Sequence, residues 1–378
     1  MIVVCPLRGT RRSAHHRASS LGTYGNCEMK KRFGVSILGG SGYGAGELLR
    51  LLACHPNIEP VHVVTRSHVG KPVSSVHSHL ESICDLTFTE SLPDRWWESY
   101  DSAAVISSMP AGQAGQAIAD ILSKSTPASL KFIDLSGDLR LKDPQVHARH
   151  YSEVPYSPEI RTQCVYGLSE LAGQAISQAR IISNPGCLSS ASILALAPLR
   201  GLQLHSPIII DAKTGTSGAG REPQASMHHP SRASDFTAYK VLEHRHEPEI
   251  LQALGSEFSN HTGLMFVPHL IPVSRGIFVT AYINCQDQQT AASLPERYRA
   301  AYAHCRFIRF RSRPPRLVDV VGTNFCDISV VVRDSQVVVM SALDNLGKGM
   351  AGQCIQNLNL MFGLPEECGL INPALGPT

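Results

Sequence analysis

No apolar run in this 378-residue chain approaches the roughly 20 residues that span a bilayer, so the sequence offers no membrane-spanning helix. A C-x-x-C pair is missing too. The 11 cysteines are scattered and odd in number, whereas disulfide scaffolds are short and cysteine-dense and structural zinc sites show close pairs. That usage fits a reducing, cytoplasmic compartment, with most thiols serving as core residues. Strong charge is also lacking. The formal net charge is +3, which compels no nucleic-acid partner. There is no fixed-period repeat, low-complexity tract or coiled-coil pattern. What remains is ordinary globular composition, 43% hydrophobic and 17% charged, in a chain long enough for two or three domains.

Acid is absent before Glu28, while Arg8, Arg11, Arg12 and Arg17 alternate with Ser and His. Such a segment reads as an organelle transit peptide, as a disordered tail, or as an upstream extension ahead of a natural start at Met29. A tail or extension is the expectation, and the segment is set aside from the fold.

The fold proper begins with "FGVSILGG" (Phe33 to Gly40), a short buried strand. "SGYGAGELLRLLACHP" then turns into a helix with Leu48, Leu49, Leu51 and Leu52 on its apolar face. The turn carries Gly39, Ser41, Gly42, Tyr43, Gly44 and Ala45. Its spacing is G-x-x-G-x-x-A, not the common dinucleotide fingerprint. A strand before, a helix after and a second strand at Pro60 to Thr65 supply the context of a dinucleotide site, in which bare backbone and a helix N-terminus meet a pyrophosphate. Where an NAD site places an acidic residue after the second strand, this chain has Thr65-Arg66-Ser67. A cation and hydroxyls there suit the 2′-phosphate of NADP. Strand-like runs at 102–110 and 129–137, with a helical stretch at 111–125 between them, extend a parallel α/β sheet.

"ARIISNPGC" reads as the last strand of that sheet, and ligands lie beyond the carboxyl ends of such strands. Cys187 therefore stands at the mouth of the cleft. It is either a buried cysteine near a turn or a nucleophile aimed by the turn and activated by the helix start. After Cys187 the chain is richer in strands and reads as antiparallel: "PIIIDAKT", "GIFVTAYINC" and a hairpin turning near Asp334-Ser335. "LGKGMAGQCIQNLNLMFGL" reads as a closing helix. A cysteine nucleophile needs a base. Among the 17 histidines, "YKVLEHRHEPEI" sets His244 and His246 before a helical stretch. His-x-His also suits a zinc ion, but no third ligand is evident and no metal is expected. The pairs His77/His79 and His228/His229 make no better metal site.

From Phe33 to the C-terminus the chain resembles the N-acetyl-γ-glutamyl-phosphate reductase family, related to aspartate-semialdehyde dehydrogenase. The stretches carrying the resemblance occur in the family's order: "GGSGYGAGELLRLL", "SHVGKPVSSVHSHL", "DLSGDLRL", "YGLSEL", "NPGC", "DAKTGTSGAGR", "HRHEPEI", "FVPHLIPVSRGI", "GTNFCDI" and "NLGKGMAGQ". Gly44, Ala45 and Gly46 shuffle the family's small turn residues. Leu188-Ser189-Ser190 replaces a segment with an aromatic, and Ser169 stands in place of a proline. The resemblance implies a Rossmann-type NADP-binding domain at 33–186, completed by a final helix within 346–378. It implies an α+β catalytic and subunit-contact domain at 187–345, after a 1–32 extension without counterpart. It further implies Cys187 as nucleophile, His244 as acid/base with His246 second, and a homodimer or homotetramer.

An acyl phosphate attacked by Cys187 gives a thioester, a better hydride acceptor than a carboxylate. Its anionic groups ask for arginines, and Arg140, Arg221 and Arg275 are the candidates. Asn184, Ser189 and Ser190, beside the thiol, complete the expected substrate contacts. Other readings stay open. An aspartate-semialdehyde dehydrogenase is expected to carry its histidine after "PVSRG", where Ile277 stands. A carrier-linked acyl phosphate would use the same chemistry. A cofactor-free thiol hydrolase would not need the glycine turn, and a dinucleotide sensor would not need a Cys/His pair.

Overall fold

Strands covered on both faces need apolar residues on both, and β1 (Phe33–Leu38) is buried along its whole length. The computed structural model describes residues 32–151, 157–255, 258, 263–374 and 376. The basic segment 1–31, with its expected tail, lies outside them. β1 is joined by β2 (Ile58–Val64), β3 (Phe88–Thr89), β4 (Ser102–Ser107), β5 (Leu130–Asp134), β6 (Cys164–Tyr166) and β7 (Ile181–Ser183). The order is β3-β2-β1-β4-β5-β7-β6, parallel throughout. The connections include α1 (Tyr43–Leu52), α2 (Ala114–Leu122), α3 (Pro144–His150), α4 (Pro158–Gln163) and α5 (Ser169–Gln178). β6 escaped the sequence reading because three residues carry no periodicity.

The strand order reverses between β1 and β4, which opens a crevice at their carboxyl ends. There Gly39 adopts φ +78°, and a β-carbon on it would lie 2.7 Å from the Ser108 carbonyl oxygen.

After α6 (Cys187–Leu196) come β8 (Leu204–Thr214), α7 (His229–Arg232), β9 (Thr237–Ala238), α8 (His246–Leu254), β10 (Leu264–Leu270) and β11 (Ile277–Cys285). α9 (Gln288–Ala301), β12 (Ile308–Phe310), β13 (Cys326–Arg333) and β14 (Gln336–Leu343) follow. The second sheet runs β12-β13-β14-β11-β8-β10-β9. The β13–β14 hairpin turns at Asp334-Ser335, with Asp334 at φ 53°. The sheet is mixed, not antiparallel as expected: β10 pairs parallel with β8, and β12 with β13. Long connections between those partners permit it, since only hairpin-linked neighbours must be antiparallel.

One face of this sheet buries Ile210, Val279 and Val339 against Ile193 and Leu194 of α6 and Leu294 and Tyr298 of α9. The other face leaves Ile209, Met265, Tyr282 and Val331 exposed. The chain returns through a π-helical turn, Gly347–Ala351, into α10 (Gly352–Met361). Ile355, Leu358 and Met361 share a core with Leu48 and Leu52 of α1 and Ile176 of α5. A fully buried Lys348–Glu170 ion pair, 2.6 Å, ties the same seam.

Candidate active site

β7 ends at Ser183, and Asn184-Pro185-Gly186 leads into α6, whose first residue is Cys187. Gly186 caps that helix with extended backbone and no side-chain cap. The turn is held from outside. Its Gly186 N–H donates to Glu249 Oε1 at 2.7 Å, and the Tyr166 hydroxyl donates to the same oxygen at 2.7 Å. Glu249 is fully buried. Its Oε2 lies 3.6 Å from Arg140 Nη1 and 4.0 Å from His246 Nε2. From the opposite side the π-turn closes on the thiol residue: a β-carbon on Gly349 would come 2.8 Å from Cys187 Cβ.

The two histidines lie together. The His246 N–H donates to His244 Nδ1 at 3.1 Å, and the rings meet edge to face at 4.7 Å. An accepting Nδ1 leaves the ring hydrogen of neutral His244 on Nε2. Burial, with Arg245 beside it, lowers His244 to about 4. Burial and the neighbouring His244 push His246 well below the usual imidazole range, so both rings are neutral near pH 7. The thiol departs from expectation. Burial pushes Cys187 above the ordinary thiol range, and Arg140 and the Leu188 N–H at the helix start only oppose that rise. Desolvation of the charged form outweighs the helix N-terminus here.

Of the other expected substrate contacts, Arg140, Arg275, Asn184 and Ser190 hold protein partners, whereas the buried Ser189 hydroxyl has no hydrogen-bond partner among the described residues. The Arg140 guanidinium is buried and donates to the Asn184 and Leu135 carbonyls, each at 2.9 Å. Arg275 pairs with Glu47 of α1 at 2.8 Å and with Asp344 at 2.7 Å, so it joins the two sheets' elements and has no fork left for a ligand. Asn184 donates to the Met350 carbonyl and accepts from Asn357. Ser189 and Ser190 are buried in α6, and the Ser190 hydroxyl bonds back to the Gly186 carbonyl. Arg221 alone of the three arginines is exposed. It lines a cavity of about 560 Å³ with Tyr43, Ser217, His228 and Leu346. Glu249, Tyr166 and Asp344 were missed. The available signal for Glu249 was its place three residues after His246, one helical turn along.

At the crevice Gly42 is the N-cap of α1, and the space where its β-carbon would project is empty. Tyr43 is exposed there. Ala45 is fully buried, and a β-carbon on Gly44 would press on Met350 and stand 3.1 Å from the Ser108 side chain, at the carboxyl end of β4 where the crevice opens. Arg66 and Ser67 are exposed after β2. They line a second cavity of about 420 Å³ with Thr65, Met109 and Lys124. Open space before a capless helix start, and a cation at the end of β2, fit a phosphorylated dinucleotide. No helix among the described residues is long and apolar enough to cross a membrane.

Residues 34–179 match the semialdehyde dehydrogenase NAD-binding domain, and residues 187–345 match the semialdehyde dehydrogenase dimerisation domain. An aspartate semialdehyde dehydrogenase II from Vibrio cholerae shares the fold. Its TM-score is 0.60 at 16% identity, covering 88% of this chain and 99% of that one. An aspartate semialdehyde dehydrogenase from Candida albicans, solved with NADP, gives 0.59 at 16% identity over 87% and 98%. Relatives in sequence are nearer. N-acetyl-gamma-glutamyl-phosphate reductase of Methanosarcina barkeri is 41% identical over 91% of this chain and 99% of its own. That of Methanopyrus kandleri is 42% identical over the same shares. With its ordered motifs and both domains matched, the chain belongs to the N-acetyl-γ-glutamyl-phosphate reductase family.

Proposed function

We propose that this chain reduces N-acetyl-γ-glutamyl phosphate to N-acetylglutamate 5-semialdehyde with NADPH and releases phosphate, a step of arginine biosynthesis. The observation that carries the reading is Cys187 at the carboxyl edge of the parallel sheet, with the His246 ring against the residue before it. Gly39, Ser41, Gly42 and Tyr43 hold the pyrophosphate, and Arg66 and Ser67 hold the 2′-phosphate. The bound dinucleotide supplies the hydride.

Cys187 Sγ attacks the acyl carbon, the bond to the phosphate oxygen breaks, and a thioester forms as phosphate leaves. After reduction the C–S bond of the thiohemiacetal breaks to free the aldehyde and the thiol. A neutral imidazole takes the thiol proton and later protonates and deprotonates the substrate oxygen. His246 fills that role better than His244, the first expectation. The His246 ring lies on Gly186 and its Nδ1 has no hydrogen-bond partner among the described residues, whereas His244 Nδ1 is occupied by the His246 N–H. Arg221, exposed and tied by one hydrogen bond from Nη1 to the Val76 carbonyl at 2.8 Å, is the arginine best placed to meet an anionic ligand.

The exposed Ile209, Met265, Tyr282 and Val331 on the open face of the second sheet support a homo-oligomer paired through that face. Phosphate-dependent NADP reduction with N-acetylglutamate semialdehyde, run beside aspartate semialdehyde, tests the function. Turnover of only the shorter aldehyde would reassign the substrate, and turnover of neither would remove the activity.

A further inference from the structure

We infer that His77 is a positioning residue for the dinucleotide: its ring holds the peptide between Gly40 and Ser41 so that the Ser41 N–H is aimed at the pyrophosphate. The inference rests on the reading that the turn from Gly39 to Tyr43 binds the cofactor.

His77 lies in the connection from β2 to β3, between 3₁₀ turns at Val73–Ser75 and Ser78–Leu80. Val73 and Leu80 anchor that connection in the core that also holds Leu48 and Leu49 of α1. The ring is buried and meets the cofactor turn at two points. Its Nε2 bonds to the Gly40 carbonyl oxygen at 2.8 Å. Its Nδ1 lies 2.6 Å from where a β-carbon on Gly46 would be. Gly46 is inside α1 and is not among the glycines with positive φ. The ring it admits therefore requires the glycine, and its conformation does not.

A carbonyl oxygen only accepts, so Nε2 is the donor and carries the ring hydrogen. Neutral His77 then keeps its lone pair on Nδ1, where a second hydrogen would press on Gly46. Burial lowers the ring below the usual imidazole range, and Arg221, His79 and His68 add to that against the opposing bond to Gly40. The effect falls on Ser41. A trans peptide is planar, with its C=O and N–H pointing opposite ways. The bond from His77 therefore fixes the direction of the Ser41 N–H, away from the ring. That N–H meets no backbone acceptor among the described residues. The Gly39 and Gly40 N–H groups, by contrast, both donate to the Val64 carbonyl, at 3.1 and 2.9 Å. Ser41 is thus the first residue of the turn whose N–H is open to a ligand. A donor already held in its bound direction costs less ordering when a phosphate arrives.

The test is a pair of variants in the full chain, His77→Leu and His77→Gln. Leucine fills the space without a donor, whereas glutamine carries an amide N–H to the place of Nε2. We expect His77→Leu to raise the Kd of NADPH, read by the fluorescence of the cofactor, about tenfold. Its KM for NADPH should rise alike with kcat within about threefold, because a contact to the pyrophosphate is made equally in ground and transition states. His77→Gln should return Kd to within about threefold of wild type. A wild-type Kd in the leucine variant overturns the inference, and so does an equal loss in both variants, which would make the ring's packing responsible. Should His77→Leu fail to fold, nitrogen-15 NMR of the wild-type histidines decides. A hydrogen on Nδ1 of neutral His77 overturns the bond to Gly40, and a hydrogen on Nε2 supports it. Wild-type chain that binds no NADPH would overturn the dinucleotide reading and this inference with it, whereas tight wild-type binding matched by the leucine variant overturns the inference alone.

Discussion

His246 Nε2 occupies the space beside Gly186 so closely that a β-carbon there would stand 2.4 Å from it and 2.8 Å from Arg140 Nη1. The backbone of Gly186, φ −68° and ψ 145°, is open to any residue. The glycine is therefore required by the neighbours it admits and not by its own conformation. Gly186→Ala should displace the ring, destabilise the fold by about 1–3 kcal/mol through overpacking, and lower kcat/KM at least about 100-fold. An alanine variant with wild-type turnover and Tm would show that the ring is not held there.

The raised thiol of Cys187 makes a second expectation, opposite to the one that the turn alone suggests. With no substrate bound, iodoacetamide at neutral pH should label the exposed Cys54 before Cys187. The Cys187 rate should climb with pH through a midpoint above the ordinary thiol value of about 8.5. Peptide mass spectrometry after timed labelling gives both. If Cys187 reacts first at neutral pH, Arg140 and the helix start dominate burial.

Glu47 predicts the acid behaviour of the fold. Burial pushes its carboxyl up, but hydrogen bonds and charge from Arg50 and Arg275 overcome that and hold it at about 2. A depressed folded value means stability that is complete above the unfolded value, near 4.5, and is lost as pH falls toward 2. The shift corresponds to about 3 kcal/mol. Glu47→Gln should lower Tm at neutral pH and flatten the Tm–pH curve on the acid side. Parallel curves for variant and wild type would show that the contact between the two sheets' elements contributes nothing.

Arg66 governs the choice of dinucleotide in this reading. A charge-assisted contact to a 2′-phosphate contributes roughly 1.5–3 kcal/mol, a preference of about ten- to a hundredfold. Arg66→Ala should lower kcat/KM with NADPH by that factor and leave NADH little changed. An equal fall with both makes Arg66 structural. No change with either moves the contact to Ser41, Ser67 or Lys71.

The strand-turn-helix at Phe33 to Leu52, the cation after β2 and the thiol at the tip of β7 were all legible in the chain by itself. Each is written within a few consecutive residues, where period, glycine placement and turn chemistry act locally. Tertiary structure decided what those residues meet. Glu47 and Arg275 are 228 residues apart, and Gly186 and Glu249 are 63 apart. Nothing local could tell that Arg275 is spent on an ion pair or that a glutamate fixes the thiol's turn. Nor could local sequence weigh the helix start against burial at Cys187, because desolvation depends on everything packed around the sulfur, including a π-turn that begins 160 positions later.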